Sequence, residues 1–226
     1  MEGKIKMEEE LDRGRNLSII TIILCVINIV AYVYTLFAGG DYYLTGGMNY
    51  GRIVEHKEYY RFLTCMFLHG DIGHIAMNML ALVVSGMLVE SYIGSLKTTV
   101  IYFLSGFCGS LLSLIFHASG EPVYSVGASG AIFGLMLAAA VIQNKKAGKS
   151  LFRALAYGVI YAIGTWSQGI DLLGHIGGAL GGLVTAAILC IHFNEEYKER
   201  KVSTMIGIGI TLAISATAYR YIMMLG

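Results

Sequence analysis

Charge is scarce in this chain. Asp, Glu, Lys and Arg make up 14% of its 226 residues while 56% are hydrophobic, too little polar surface to coat a soluble globule of that length. With a mean hydropathy of +0.65, the chain reads as an integral membrane protein. Proline is nearly absent, with one residue, which removes the usual breaker of long helices. Sustained alternation of apolar and polar residues is weak, which argues against a transmembrane β-barrel. The expected class is therefore all-α. Neither sign of charge dominates: the net charge is +1 and the basic residues are scattered between apolar runs. That excludes the basic footprint of a nucleic-acid partner. Cysteine is also sparse. Cys25, Cys65, Cys108 and Cys190 show no CxxC spacing, and three lie inside apolar segments. They read as buried thiols acting as small hydrophobes, with no redox or zinc role.

What is plentiful is apolar sequence in helix-length runs. A hydrocarbon core of ~30 Å needs ~20 helical residues, and runs at 17–37, 99–117, 172–193 and 203–224 meet that length. Shorter or more polar candidates lie at 74–92, 129–144 and 151–168, whose Gly, Ser, His and Asn must face protein or a water-filled cavity. Seven spans are expected. Residues 1–16 form a short charged cytoplasmic segment, and the run after them has no small-residue cleavage site, so it reads as a retained span. Residues 194–226 form a cytoplasmic loop and one additional C-terminal span. Lys and Arg concentrate in alternate loops, which places the N-terminus inside. Residues 38–73, too long for a turn and carrying Tyr42, Tyr43, Tyr59, Tyr60 and Phe62 among charges, read as a folded element in the outer interface.

The stretch "VYSVGASGAIFGLMLAAAV" at 123–141 sets Ser129 between glycines at the head of an apolar run. Lys145 lies sixteen residues on, or ~24 Å at ~1.5 Å per residue, so Ser129 falls a few Å below the outer boundary of the membrane. A helix N-terminus there offers unpaired N–H groups and a positive dipole end to a developing oxyanion. Ser129 also reads as an N-cap, with Gly130-xxx-Gly134 a packing surface. The GxSxG elbow of soluble hydrolases is not met, because Ala131 stands at the second glycine position.

A nucleophilic serine needs a base. His175, in "DLLGHIGGALGGL" at 171–183, occupies the outer half of its span by the same arithmetic and is available as one, although it also reads as a structural histidine. Gly174, Gly177, Gly178, Gly181 and Gly182 form a smooth ridge for which Gly130-xxx-Gly134 is the natural mate, and their packing would bring His175 to Ser129. Phe133, one turn after Ser129, is placed to lie on the His175 ring. Asp171, four residues before His175, is closer to water, so a dyad is the simpler reading. In "RFLTCMFLHGDIGHIAMNML" at 61–80, His74 and Asn78 are four apart and share a helix face, as side-chain donors of an oxyanion hole would. His69 is expected to hold the turn by hydrogen bonding to backbone. Metal is not expected, since HExxH is absent and no third ligand joins His69 and His74.

These residues resemble the rhomboid family of intramembrane serine proteases. The resemblance covers roughly 40–193: Tyr60-Arg61 where the family favours Trp-Arg, His69, His74 and Asn78 in its HxxxxHxxxN pattern, Gly86 and Glu90 near the end of that helix, GASG at 127–130, and His175 before a glycine-rich helix. It implies a rhomboid-like six-helix transmembrane core over 17–193, with 38–73 as a membrane-embedded first loop and 203–224 as an added span. It implies that Ser129 is the nucleophile and His175 the general base and acid, that Asn78, His74 and the Ser129 N–H form the oxyanion hole, and that Gly127 lines the substrate cleft. No cofactor is implied. The implied partners are transmembrane protein substrates within the lipid bilayer, cut in or near a membrane-spanning segment, and no oligomer is specified. Phe133 stands where the family often has Tyr, keeping the ring and losing the hydroxyl, and Tyr60 in place of Trp is expected to loosen the first loop. A bacterial plasma membrane is the expected location, with the active site toward the outer face. The rival readings are a catalytically silent rhomboid-like protein that binds membrane clients, and a small transporter with Asn78, His74 and His175 along a polar path.

Overall fold

A computed structural model describes residues 18–38, 40–116, 124–147 and 171–189, without the side chains of 143–147. The segment 1–16, the spans expected at 151–168 and 203–224, and the loop at 194–201 lie outside the described residues. Eight α-helices are described: α1 Ile19–Phe37, α2 Tyr42–Gly46, α3 Tyr50–Val54, α4 Arg61–Thr64, α5 Ile72–Ile93, α6 Ser95–Phe116, α7 Ser129–Ala147 and α8 Leu172–Leu189. Four of them, α1, α5, α6 and α8, are long and apolar enough to cross a membrane, and α7 carries a shorter apolar stretch over Ser129–Ile142. Among the described residues no strand occurs, only an isolated antiparallel bridge between Met48 and Ser125.

Helix α6 begins four residues earlier than its apolar run. Its polar first turn is satisfied inside the protein: the Thr98 and Thr99 hydroxyls donate to the Gly94 and Ser95 carbonyls at 2.9 and 2.8 Å, and Lys97 Nζ donates to the Leu189 carbonyl at 3.3 Å. Short polar side chains bonding back into their own turn make such a start tolerable in an apolar setting. Between α5 and α6 the chain turns on Gly94, whose φ of +79° suits glycine.

Glycine sets how the site-bearing helices meet. A Cβ on Gly178 would run into the Gly130 carbonyl, one on Gly182 into the Gly134 backbone, and one on Gly177 would lie 2.6 Å from the Cys108 carbonyl. Helix α8 is thus seated against α7 on one side and α6 on the other at backbone contact distance. Removing side chains at this seam lets the helices gain dispersion contact where lipid offers no hydrophobic driving force.

Glu90, near the end of α5, is 6% exposed. It accepts from the Ile20 and Thr21 amides at 2.9 Å each, from Thr21 Oγ1 at 2.7 Å and from Ser95 Oγ at 2.6 Å. One carboxylate therefore caps α1 and ties it to the α5–α6 corner.

The first loop is gathered by Arg61, which is 1% exposed. Its guanidinium donates to the Gly47 and Leu44 carbonyls at 2.7 Å each and to Glu58 Oε2 at 2.6 Å. The Arg61 hydrogen bond holds the Glu58 carboxyl below the usual carboxylate range. Tyr60, expected to loosen this loop, is half exposed at its edge. Its hydroxyl lies 3.2 Å from both the Thr45 carbonyl and Glu58 Oε2.

Candidate active site

The heads of α5, α7 and α8 open on one cavity of about 500 Å³. Ser129 is the first residue of α7, with Ala128 accepting the first intrahelical bond from Ile132 N at 3.0 Å. The amides of the first turn therefore face outward without intrahelical acceptors. The approach to Ser129 is clamped on its backbone. Met48 and Ser125 exchange hydrogen bonds of 2.9 and 3.0 Å, and Gly127 N donates to the Cys65 carbonyl at 2.9 Å. Gly127 has φ +129°, a conformation that L side chains rarely adopt, and a Cβ there would lie 2.8 Å from His74 Nε2.

His175 lies 46 residues from Ser129 in sequence, yet its Nε2 is 2.8 Å from Ser129 Oγ. In the tautomer that leaves Nε2 bare, the hydroxyl donates to it. The ring is backed by Phe133, with centroids 4.6 Å apart and planes inclined by 31°. Helix α8 is started by Asp171, whose Oδ1 accepts from Gly174 N at 2.8 Å and whose carbonyl accepts from His175 N at 3.1 Å. Asp171 also lines the cavity.

Helix α5 repeats that arrangement. Asp71 Oδ1 accepts from His74 N at 2.8 Å, and His74 Nδ1 accepts from Gly70 N at 3.4 Å. The neutral ring therefore carries its proton on Nε2, the nitrogen that faces Gly127. Asn78 is fully buried one turn on, and its Nδ2 lies 3.6 Å from where a Gly127 Cβ would be. Two N–H donors of α5 thus lie beside Gly127, two residues before Ser129, in the cavity that the first turn of α7 also lines, an arrangement able to hold a negative oxygen.

His69, expected to hold the turn by hydrogen bonding to backbone, has the Phe67 backbone against its imidazole. Neither ring nitrogen makes a hydrogen bond of good geometry; its carbonyl accepts from Tyr43 at 3.2 Å, and its ring meets His74 edge-on at 5.1 Å. Burial, with His74 beside it, pulls the imidazole down to about 4, against a weaker opposing effect of the Phe67 backbone. Among the described residues, no group of three or more His, Cys, Asp or Glu comes together as a metal site would require.

The capping roles of Asp71 and Asp171 and the backbone clamps at Met48 and Cys65 were not read from the sequence. Asp71 and Asp171 carry a legible signal, an Asp just ahead of an apolar helix. The Met48 and Cys65 clamps carry none, because only their backbone groups take part.

The described residues define a polytopic α-helical membrane protein with a serine–histidine pair at the heads of two helices. The Rhomboid domain matches residues 56–192, and the chain belongs to the rhomboid family. RHOMBOID-like protein 7 of Arabidopsis thaliana is 37% identical over 169 residues, covering 72% of this chain and 53% of that protein. Rhomboid protease GluP of Bacillus subtilis (strain 168) is 33% identical over 174 residues, 74% of this chain and 33% of its own length. Inactive RHOMBOID-like protein 8 of Arabidopsis thaliana is 34% identical over 122 residues, 53% of this chain and 33% of its own length. The chain thus spans about half the length, or less, of these curated relatives. They come from a plant as well as a bacterium, which gives the expected bacterial plasma membrane no support.

Proposed function

We propose that this chain is an intramembrane serine endopeptidase acting on transmembrane protein substrates. The observation that carries the reading is the 2.8 Å approach of His175 Nε2 to Ser129 Oγ at a helix N-terminus. In this reading the hydroxyl attacks the scissile carbonyl while its proton passes to His175, which returns it to the leaving amine. The oxyanion is met by His74 Nε2–H, Asn78 Nδ2–H and the Ser129 amide, and Gly127 leaves room for the substrate backbone beside them. Phe133 holds the imidazole plane. The Lys and Arg balance of the loops puts this face of the membrane opposite the N-terminus.

The family includes a relative named inactive, so an activity test decides. Purified protein is reacted with a fluorophosphonate, the adduct is located by peptide mass spectrometry, and cleavage of a model transmembrane substrate is followed in parallel. The expected result is an adduct on Ser129 and substrate cleavage, both lost in Ser129→Ala and His175→Ala. No adduct on folded wild-type protein, with no cleavage, would replace this reading with a silent client-binding one.

A further inference from the structure

The segment that leads into Ser129 is held by two backbone ties, Met48 with Ser125 and the Cys65 carbonyl with Gly127 N. Ties two residues apart fix both the position and the direction of that segment, provided that Met48 and Cys65 keep their own spacing. Side chains of α4 and its N-cap bridge those two anchors. The Arg61 guanidinium takes the Leu44 and Gly47 carbonyls, the Tyr60 hydroxyl lies 3.2 Å from the Thr45 carbonyl, and the Thr64 hydroxyl donates to the Gly46 carbonyl at 2.7 Å. Each carbonyl of 44–47 is therefore matched from one short helix, and the next, that of Met48, accepts from Ser125 N at 3.0 Å. Thr64 has a particular place in this row. Gly46 is two residues before Met48 and Thr64 is one before Cys65, so its bond joins the two anchors by the shortest path along the chain. Its other contact, to the Tyr60 carbonyl in its own turn, is longer at 3.4 Å.

We propose that Thr64 is a positioning residue for the oxyanion site, holding Met48 and Cys65 at the spacing that sets Gly127 beside His74 and aims the Ser129 amide. This rests on the hydrolysis proposed above. Thr64 is not among the residues that line the front cavity, so it acts through the backbone it braces. Gly127 has little slack there, since a Cβ on it would lie 2.8 Å from His74 Nε2. A drift of 125–127 therefore changes the distances from the His74, Asn78 and Ser129 donors to a developing oxyanion. A misplacement of about 1 Å by a change far from the chemistry can cost on the order of 10²-fold in rate. Contacts that reach full strength only in the transition state feel such a drift most, which puts the loss in kcat and leaves KM in place.

Thr64→Val removes the hydroxyl at nearly constant volume, and Thr64→Ser keeps it. Thr45→Val is the control, because the Thr45 hydroxyl bonds within its own turn, to the Asp41 and Tyr42 carbonyls at 3.3 and 3.5 Å. All are measured in the full chain for the rate of fluorophosphonate labelling and for kcat and KM on a transmembrane substrate, with kcat taken per labelled site so that unfolded protein does not count. The expected result in Thr64→Val is a fall of about tenfold in both kcat and labelling rate, with KM within about twofold of wild type. Thr64→Ser and Thr45→Val should match wild type. An unchanged kcat in Thr64→Val overturns the proposal, as does a rise in KM at constant kcat. An equal fall in Thr64→Ser overturns it too, since the hydroxyl is then not what matters, and an equal fall in Thr45→Val would show a general loosening of the loop. Thr64→Ala, a second variant without the donor, is read in the same way should Thr64→Val not fold. Absence of labelling in the wild type is a different result, which removes the serine–histidine reading itself and with it the reaction that Thr64 serves.

Discussion

Ser129 and His175 meet because each stands at the first turn of its own helix, and a first-turn residue is positioned by whatever starts the helix. For α8 that is Asp171, which takes the Gly174 amide at 2.8 Å, so the cap and the base are one turn apart. Replacing Asp171 by Ala removes the acceptor and is expected to cost ~1 kcal/mol of stability. The same change slackens the turn that aims the imidazole. Asp171→Asn keeps an acceptor oxygen and should restore most of the loss. Thermal unfolding in detergent together with fluorophosphonate labelling rates checks both parts. If Asn and Ala behave alike, the cap is not what holds the turn. The cap, the serine and the two histidines were legible as residues, since their types and spacings are unusual in apolar sequence. The backbone clamps at Met48 and Cys65 were not, because any residue supplies a carbonyl.

At the scale of elements, the seam of α6, α7 and α8 is where small side chains are required. Gly178 has no room for a Cβ against the Gly130 carbonyl, and neither backbone can yield without moving a helix. Gly178→Ala is expected to destabilise the fold by ~1–3 kcal/mol and to separate Ser129 from His175. Ser105 in the same seam makes the contrasting case. It is fully buried and its hydroxyl has no hydrogen-bond partner. Ser105→Ala should therefore be neutral or stabilising, since removing a buried, unmatched polar group lifts its desolvation cost. Unfolding measured side by side in the two variants should separate them clearly, and equal losses would refute the account of the seam. The glycine pattern was visible in sequence as two matching ridges. The third participant carried a weaker signal, Ser105, Gly109 and Ser113 at four-residue spacing in α6, which was not read as a ridge.

At the scale of the whole molecule, the loop before α5 couples stability to pH. His69 is held at about 4 against an ordinary value of 6.5. The unfolded chain therefore takes up the proton first as pH falls. Stabilisation from the neutral ring is complete above 6.5 and is withdrawn between 6.5 and 4. Unfolding at about pH 7.5 and about pH 4.5 should show a loss of up to ~3 kcal/mol in the wild type and a smaller loss in His69→Gln. An equal loss in the variant would place the pH dependence elsewhere.

Composition and periodicity alone determined that this is an all-α membrane protein. Apolar runs of helix length report burial in lipid whatever the helices do to one another. Residue types and spacings likewise singled out Ser129, His175, His74 and Asn78, because polar groups are costly in such runs. Only the tertiary structure decided that Ser129 and His175 lie 2.8 Å apart, that His74 Nε2 faces Gly127, and that the His69 ring is enclosed edge-on against His74. Those facts depend on how helices distant in sequence are seated, which is set by backbone contacts at glycines and by hydrogen bonds to carbonyls. Such contacts leave little trace in the identity of the residues that make them.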